Sequence, residues 1–174
     1  MAANRNQGHT EGFIVAYGRQ QSTFRISDTS KKESLLLCTL FSERLQIIVS
    51  IHIHEIVIRD SSNGGIINRI NYDQNNNNDN SNNNHRNQNI ISNDITAGIL
   101  DDKERKIIIG TSSGVISIYN CVTGMLLKSF PAISTAIQFI IYSPDKTIIV
   151  VGSSGDIYIL DDRDNVVSDD YLLR

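Results

Sequence analysis

The 174-residue chain has no tryptophan, only two cysteines and two prolines, and no excess of basic residues. Each shortage narrows what the protein does. Cys38 and Cys121 are too few for a disulfide framework and have no metal-ligand spacing, so a reducing, intracellular setting is expected. Sixteen basic against 19 acidic residues give a net charge of −3, which argues against a basic nucleic-acid-binding surface. No run approaches the ~18 apolar residues of a membrane span. The opening residues, MAANRNQGHTEG, lack the apolar stretch of a signal peptide. The expectation is a cytoplasmic chain with neither nucleic acid nor membrane as partner.

What is plentiful is isoleucine, 28 residues against 11 leucines. Side chains branched at Cβ are stiff at χ1 and favour strands, so the composition leans all-β. Residues 73 to 89, DQNNNNDNSNNNHRNQN, hold ten asparagines in 17 positions. Such a stretch buries nothing to offset its ordering entropy and reads as a disordered insertion.

On either side of it the chain repeats. KIIIGTSSGVISIYNCVTGMLLKSF (106 to 130) lies over TIIVVGSSGDIYILDDRDNVVSDDY (147 to 171) at an ungapped offset of 41 residues. It also lies over QIIVSIHIHEIVIRDSSNGGIINRI (46 to 70) at an ungapped offset of 60, and the 19-residue excess is about the length of the asparagine tract. Within each copy apolar and polar residues alternate with the period of 2 expected of strands, as in Val115-Ile116-Ser117-Ile118-Tyr119. Another apolar run precedes each copy (35 to 41, 95 to 100, 136 to 142), followed by a polar turn, SERLQ, DDKER or SPDKT. The unit therefore supplies four strands, here lettered a to d: ITAGIL, KIIIG, GVISIYN and MLLKSF in the middle copy. A four-stranded meander recurring every ~40–45 residues is the pattern of a β-propeller blade. The repeated turns are marked by Gly114 and Gly155 between strands b and c, and by Gly64 and Gly124 between c and d. Asp60, Asn120 and Asp161 stand at the end of strand c. GFIVAYG (12 to 18) and STFRISD (22 to 28) look like a partial upstream copy of strands b and c. The expected organisation is a flexible tail (1–11), a partial and a first clear blade (12–72), the insertion (73–93) and two further blades (94–174).

Over residues 12 to 171, and most specifically over 95 to 162, the chain resembles the WD-repeat family. Asp101, Asp102, Arg105, Lys106, Gly110, Gly114, Ile116, Ile118, Asn120 and Gly124 fit a pattern like that of the large ciliary WD-repeat proteins that carry EF-hands. The resemblance implies a protein–protein interaction scaffold with axonemal or cytoskeletal partners, without cofactor or catalysis. The family's Trp-Asp dipeptide is here Arg59-Asp60, Tyr119-Asn120 and Leu160-Asp161, and the Gly-His pair is absent. The buried Asp-His-Ser/Thr-Trp network cannot form in full, which leaves apolar packing to hold the blades. Without the 19-residue excess, 155 residues make about 3.8 units, whereas propellers close with 4 to 8. The expectation is three to four four-stranded blades in an incomplete ring: a fragment of a longer propeller with no function of its own, or a chain completed by a partner.

Four motifs point elsewhere. Gly110-Thr111-Ser112-Ser113-Gly114 fits G-x-S-x-G, but a nucleophile elbow needs a helix after the turn, and a strand-like VISIYN follows. A propeller-type hydrolase is thus the weaker reading. His52-x-His54 would place two imidazoles on one strand face, yet no third ligand for zinc is near; both sit in the b–c turn of the alignment. DDRDNVVSDD (161 to 170) is acidic but lacks the glycine and closing glutamate of an EF-hand loop, and Asn165 is expected to take the left-handed place of Gly124. The GTSSG and GSSG turns have no lysine and no following helix to hold a phosphate. No catalytic, metal or cofactor-binding residue is expected.

Overall fold

The computed structural model describes residues 12–15, 23–26, 35–72, 93–163 and 172–173. Its secondary structure over these residues is entirely β. Strands β1 (Gly12–Val15) and β2 (Thr23–Ile26) pair antiparallel as a two-stranded sheet, within the segments read as a partial copy. The first complete blade is β3 (Leu36–Ser42), β4 (Ile47–His52), β5 (Glu55–Asp60) and β6 (Ile66–Asn71). The second is β7 (Ile95–Leu100), β8 (Lys106–Thr111), β9 (Ile116–Asn120) and β10 (Leu126–Phe130). The third is β11 (Ile137–Tyr142), β12 (Thr147–Gly152), β13 (Ile157–Asp161) and β14 (Leu172–Leu173). Each is an antiparallel meander, its strands hydrogen-bonded in sequence order. These strands are the a to d expected.

The blades stack through their first strands. β7 lies against β3 and β4, and β11 against β7 and β8. One isoleucine-rich core fills the space between the first two blades, with Val49, Ile51, Ile56 and Ile58 on one side and Ile107, Ile109, Tyr119 and Cys121 on the other. A second fills the space between blades two and three, joining Ile108, Ile116, Ile118 and Phe130 to Ile140, Ile148, Val150 and Leu160. The central strands β8 and β9 thus bury residues on both faces, which is why they read KIIIGT and ISIYN with little alternation.

Strand pairing departs from the ungapped repeat in two places. Ile47, not Gln46, stands opposite Asp60, as Lys106 stands opposite Asn120, so strand b of the first blade is displaced by one residue. The cause is a b–c turn one residue shorter: four residues separate Ile51 from its partner Ile56, five separate Gly110 from Ile116. The shorter turn takes His54 and needs no residue of positive φ. In the third blade Leu173 pairs with Ile157 as Phe130 pairs with Ile116, which puts strand d two residues later than expected. The VVSD part of that strand and Asn165 lie outside the described residues.

The chain leaves the first blade and enters the second at nearly one point. The Asn93 side-chain amide donates to the Tyr72 hydroxyl at 3.3 Å. The main chain is tied on both sides, Tyr72 N–H to the His54 carbonyl at 2.8 Å and Ile95 N–H to the Ile53 carbonyl at 2.9 Å. The asparagine tract expected to be disordered lies outside the described residues.

Candidate interaction surface

The turn residues singled out in the sequence form two sets. Gly64 and Gly124, at φ 73° and 67°, each donate an N–H at 2.9 Å to the residue ending strand c, Asp60 or Asn120. Gly114 and Gly155, at φ 83° and 89°, each donate to the residue three before, Thr111 or Gly152, at 3.1 and 3.0 Å. Positive φ is a conformation a Cβ disfavours, so glycine fits both kinds of turn. The residue ending strand c uses its side chain to fold the next turn. Asp60 accepts the Ser62 N–H at 2.7 Å, Asn120 those of Val122 and Thr123 at 2.9 Å, and Asp161 that of Arg163 at 2.7 Å. These hydrogen bonds hold the Asp60 carboxyl below its usual range; for Asp161 the Arg163 guanidinium pulls it down to about 2. All seven residues build turns.

The strand a–b turns use a device without glycine. Gln46, Glu104 and Lys146 have φ of 53°, 56° and 74°. Nothing in their residue types marks them in the sequence. Glu104 also ties blades together: its carboxylate accepts the Ser42 hydroxyl at 2.8 Å and the Arg44 N–H at 2.9 Å from the preceding blade. Those two bonds lower its pKa. Between blades two and three, the Asp162 carboxylate receives the Lys106 ammonium and the Tyr142 hydroxyl, the latter at 2.8 Å. Lys128 adds bonds to the carbonyls of Asp161 and Asp162 at 3.2 and 3.3 Å. Burial and the Asp162 carboxylate raise the Tyr142 pKa.

The chemistry-bearing candidates are absorbed in the same way. The GTSSG turn joins β8 to β9, a strand on each side, so Ser112 is not lifted on a strand-to-helix elbow. Ser112 Oγ accepts the Asp94 N–H at 3.0 Å, and Ser113 Oγ bonds the Asn93 side chain. His54 Nδ1 lies 3.3 Å from the Asp94 carboxylate, and His52 ends β4 rather than standing in the turn. Among the described residues no three His, Cys, Asp or Glu side chains gather to hold a metal. The Cys121 thiol is buried and pushed up to about 12, an unreactive state.

Besides Leu35, Leu36 and Phe41 at β3, exposed apolar side chains among the described residues form two groups. One runs along the outer strands, with Ile66 and Ile67 on β6 and Met125, Leu126 and Leu127 at β10, each roughly half exposed. Val122 joins this rim, its carbonyl accepting from the Asn68 side chain of the neighbouring blade at 3.4 Å. The other is the face of the third blade turned away from the second, where Phe139 is 62% and Ile141 52% exposed. No helix among the described residues is long and apolar enough to cross a membrane.

No protein-family model and no curated protein matches the sequence. Solved structures do. The Cps50 (Swd1) β-propeller domain of Myceliophteria thermophila superposes with a TM-score of 0.60 at 13% identity, over 82% of this chain and 40% of that one. The RRP9 WD40 repeats give 0.61 at 11% identity over 93% and 40%, and the C-terminal WD40 domain of Sif2 gives 0.59 at 11% over 90% and 40%. At such identities the likeness is one of fold: these sheets are blades of a WD40-type β-propeller. The chain spans about 40% of the length of each. Nothing in these comparisons bears on EF-hands or cilia.

Proposed function

We propose that the chain is a non-catalytic scaffold that holds protein partners on the rim of its blades. The observation that carries this reading is the half-exposed apolar row Ile66, Ile67, Leu126 and Leu127, displayed on outer strands of sheets whose inner strands are rigidly packed. Exposed apolar residues grouped on a fixed surface are what a protein partner buries. The turn residues Gly64, Gly114, Gly124, Gly155, Asp60, Asn120 and Asp161 serve that display by fixing the strand ends. On this reading 12–72 and 94–174 are the two blade-bearing parts, joined through 73–93. Cytoplasmic proteins are the partners to test first. The resemblance to ciliary proteins favours axonemal or cytoskeletal ones among them.

Affinity capture from a ciliated cell extract tests the proposal. The unaltered chain is expected to retain specific proteins, and Leu126→Glu with Leu127→Glu to lose them without change in thermal unfolding. Equal retention by both forms would sink the rim as the binding surface. No retention by either would favour the other reading, a piece of a longer propeller that does not act alone, for which the 40% coverage of solved propellers is the supporting observation.

A further inference from the structure

The turn between strands c and d of the first blade reads Ser61-Ser62-Asn63-Gly64-Gly65, and Asn63 is the only asparagine of the chain that a glycine follows. Asparagine is thermolabile, and most so before glycine, where no Cβ hinders the next main-chain nitrogen from reaching the side-chain amide carbon. Asn63 is exposed, so water reaches it and ammonia can leave. Its side chain is folded forward along the chain: Oδ1 accepts the Gly65 N–H at 2.7 Å, and Cγ lies 3.7 Å from where a Cβ on Gly65 would be. That hydrogen bond draws electron density from Cγ and makes it a better electrophile. The Arg59 guanidinium donates to the Gly64 carbonyl at 3.2 Å, which sets positive charge beside the nitrogen that must give up its proton. Opposing these, the Gly64 N–H donates to the Asp60 carbonyl at 2.9 Å, a single bond at the tip of a hairpin, where local opening is easiest.

The turn has no need of the amide. Thr123 stands at this position in the second blade, and its hydroxyl accepts the Met125 N–H at 3.3 Å as Asn63 accepts that of Gly65. The other described asparagines are set differently. Asn68, Asn71 and Asn120 lie on strands and precede Arg69, Tyr72 and Cys121. Asn93 precedes Asp94, and its side chain joins Ser113 and the Tyr72 hydroxyl. Each faces a nitrogen whose own residue carries a Cβ.

From this geometry we infer that Asn63 is a modification site, deamidating spontaneously in the folded chain and placing a new carboxylate on the rim of the first blade. The Gly64 nitrogen gives up its proton and attacks Asn63 Cγ. The bond between that nitrogen and Cγ forms, the Cγ–Nδ2 bond breaks, and ammonia leaves with the proton. Water then opens the five-membered imide at either carbonyl, leaving an aspartyl or an isoaspartyl residue at position 63. No oxidant or reductant takes part.

Both products alter the rim. The new carboxylate stands in the same turn as that of Asp60 and three residues before Ile66. The isoaspartyl form also adds a methylene to the main chain, so the bonds from Gly64 to Asp60 and from Gly65 to position 63 cannot both be kept. The conversion goes beyond the scaffold reading and does not depend on it; only its effect on partner capture does.

The test incubates the folded, full chain at mildly alkaline pH over weeks and follows each asparagine by proteolysis and mass spectrometry. The peptide holding Asn63 is expected to exchange ammonia for water at least about tenfold faster than those holding Asn68, Asn71, Asn93 and Asn120. A carboxyl methyltransferase specific for isoaspartate should label the aged chain at that peptide alone among these. Asn63→Thr, which copies Thr123, abolishes the labelling there and leaves the urea midpoint where it was. Aged chain should lose partner retention that aged Asn63→Thr keeps. Conversion at Asn63 no faster than at the other four overturns the inference. So does conversion that is fast in urea and absent in the folded chain, because the bond from Gly64 to Asp60 then protects the site. A chain that retains no partner even when fresh sinks the rim reading and leaves the conversion to be read by mass.

Discussion

Gly114 and Gly155 have nearly the same backbone conformation, yet an added methyl group meets carbonyl oxygen at one and open space at the other. Gly155→Ala should therefore cost only the backbone strain of a Cβ at positive φ, about 1 kcal/mol. Gly114→Ala must also push aside the link to the third blade and should cost about 3 kcal/mol or more. Urea unfolding of the two variants reads the difference, and equal losses would remove the distinction drawn between the turns. Acid provides a second check at this scale. Asp60, Glu104, Asp145 and Asp161 are all held below their ordinary values of 3.8 for Asp and 4.5 for Glu, mainly by hydrogen bonds in turns. A depressed folded pKa contributes stability that is present above the unfolded value and lost as pH falls through the folded one. The urea midpoint should thus hold steady from neutral pH and then decline from about pH 4.5, with Asp161 continuing its loss to about 2. Asp161→Asn, which copies Asn120, should flatten the lowest part of that decline. At the residue scale the glycine turns were legible because only glycine takes positive φ without cost. Gln46, Glu104 and Lys146 were not, since any residue can be forced there by a tight hairpin and its type leaves no mark.

The strands of the second blade were legible almost to the residue. Turns of strong character flank them on each side, and the repeat supplied two further copies. Strand b of the first blade was placed one residue off for a physical reason. Its residues Ile47, Ile48, Val49, Ser50 and Ile51 are all buried, so neither face is polar and no alternation sets the phase. Only the pairing with β5 reveals that the turn is shorter. Packing predicts which isoleucines matter. Ile118, fully buried between blades two and three, should cost about 2–5 kcal/mol when changed to alanine, and exposed Ile141 within about 0.5 kcal/mol. Chemical denaturation of the pair checks this, and similar losses would mean that the open face is already covered in solution. The Asp162 carboxylate, whose side chain is 4% exposed, joins Lys106 and Tyr142 across the same interface. Asp162→Ala leaves a partly exposed ammonium and a partly buried hydroxyl without that acceptor. A loss of about 1–3 kcal/mol is expected, and most of it should persist at high salt because the bonds are shielded.

Over the whole molecule, the sequence carried the repeat, the number of blades and the incomplete ring, since all three follow from a period and a length. The stacking surfaces were beyond its reach, because which face of an isoleucine-only strand meets the next blade is decided by the third dimension. The exposed apolar rim was equally hidden: Leu126 and Leu127 read like any core leucines until the sheet order places β10 at an edge. The junction between the first two blades bears on how the chain tolerates change. Tyr72 and Asn93, the described residues on either side of the 20 residues from 73 to 92, are joined by a hydrogen bond between their side chains. Replacing those residues with a link of about five should alter stability by only ~1 kcal/mol, as two halvings of a closed loop do. Calorimetry would show a melting temperature unchanged or a few degrees higher, and loss of the cooperative transition would contradict it. A logarithmic penalty makes each added or removed asparagine nearly invisible to folding. Replication slippage within the codons of such a tract would then produce length variants that selection on stability barely distinguishes, and the tract's size can drift between populations while the blades on either side stay fixed.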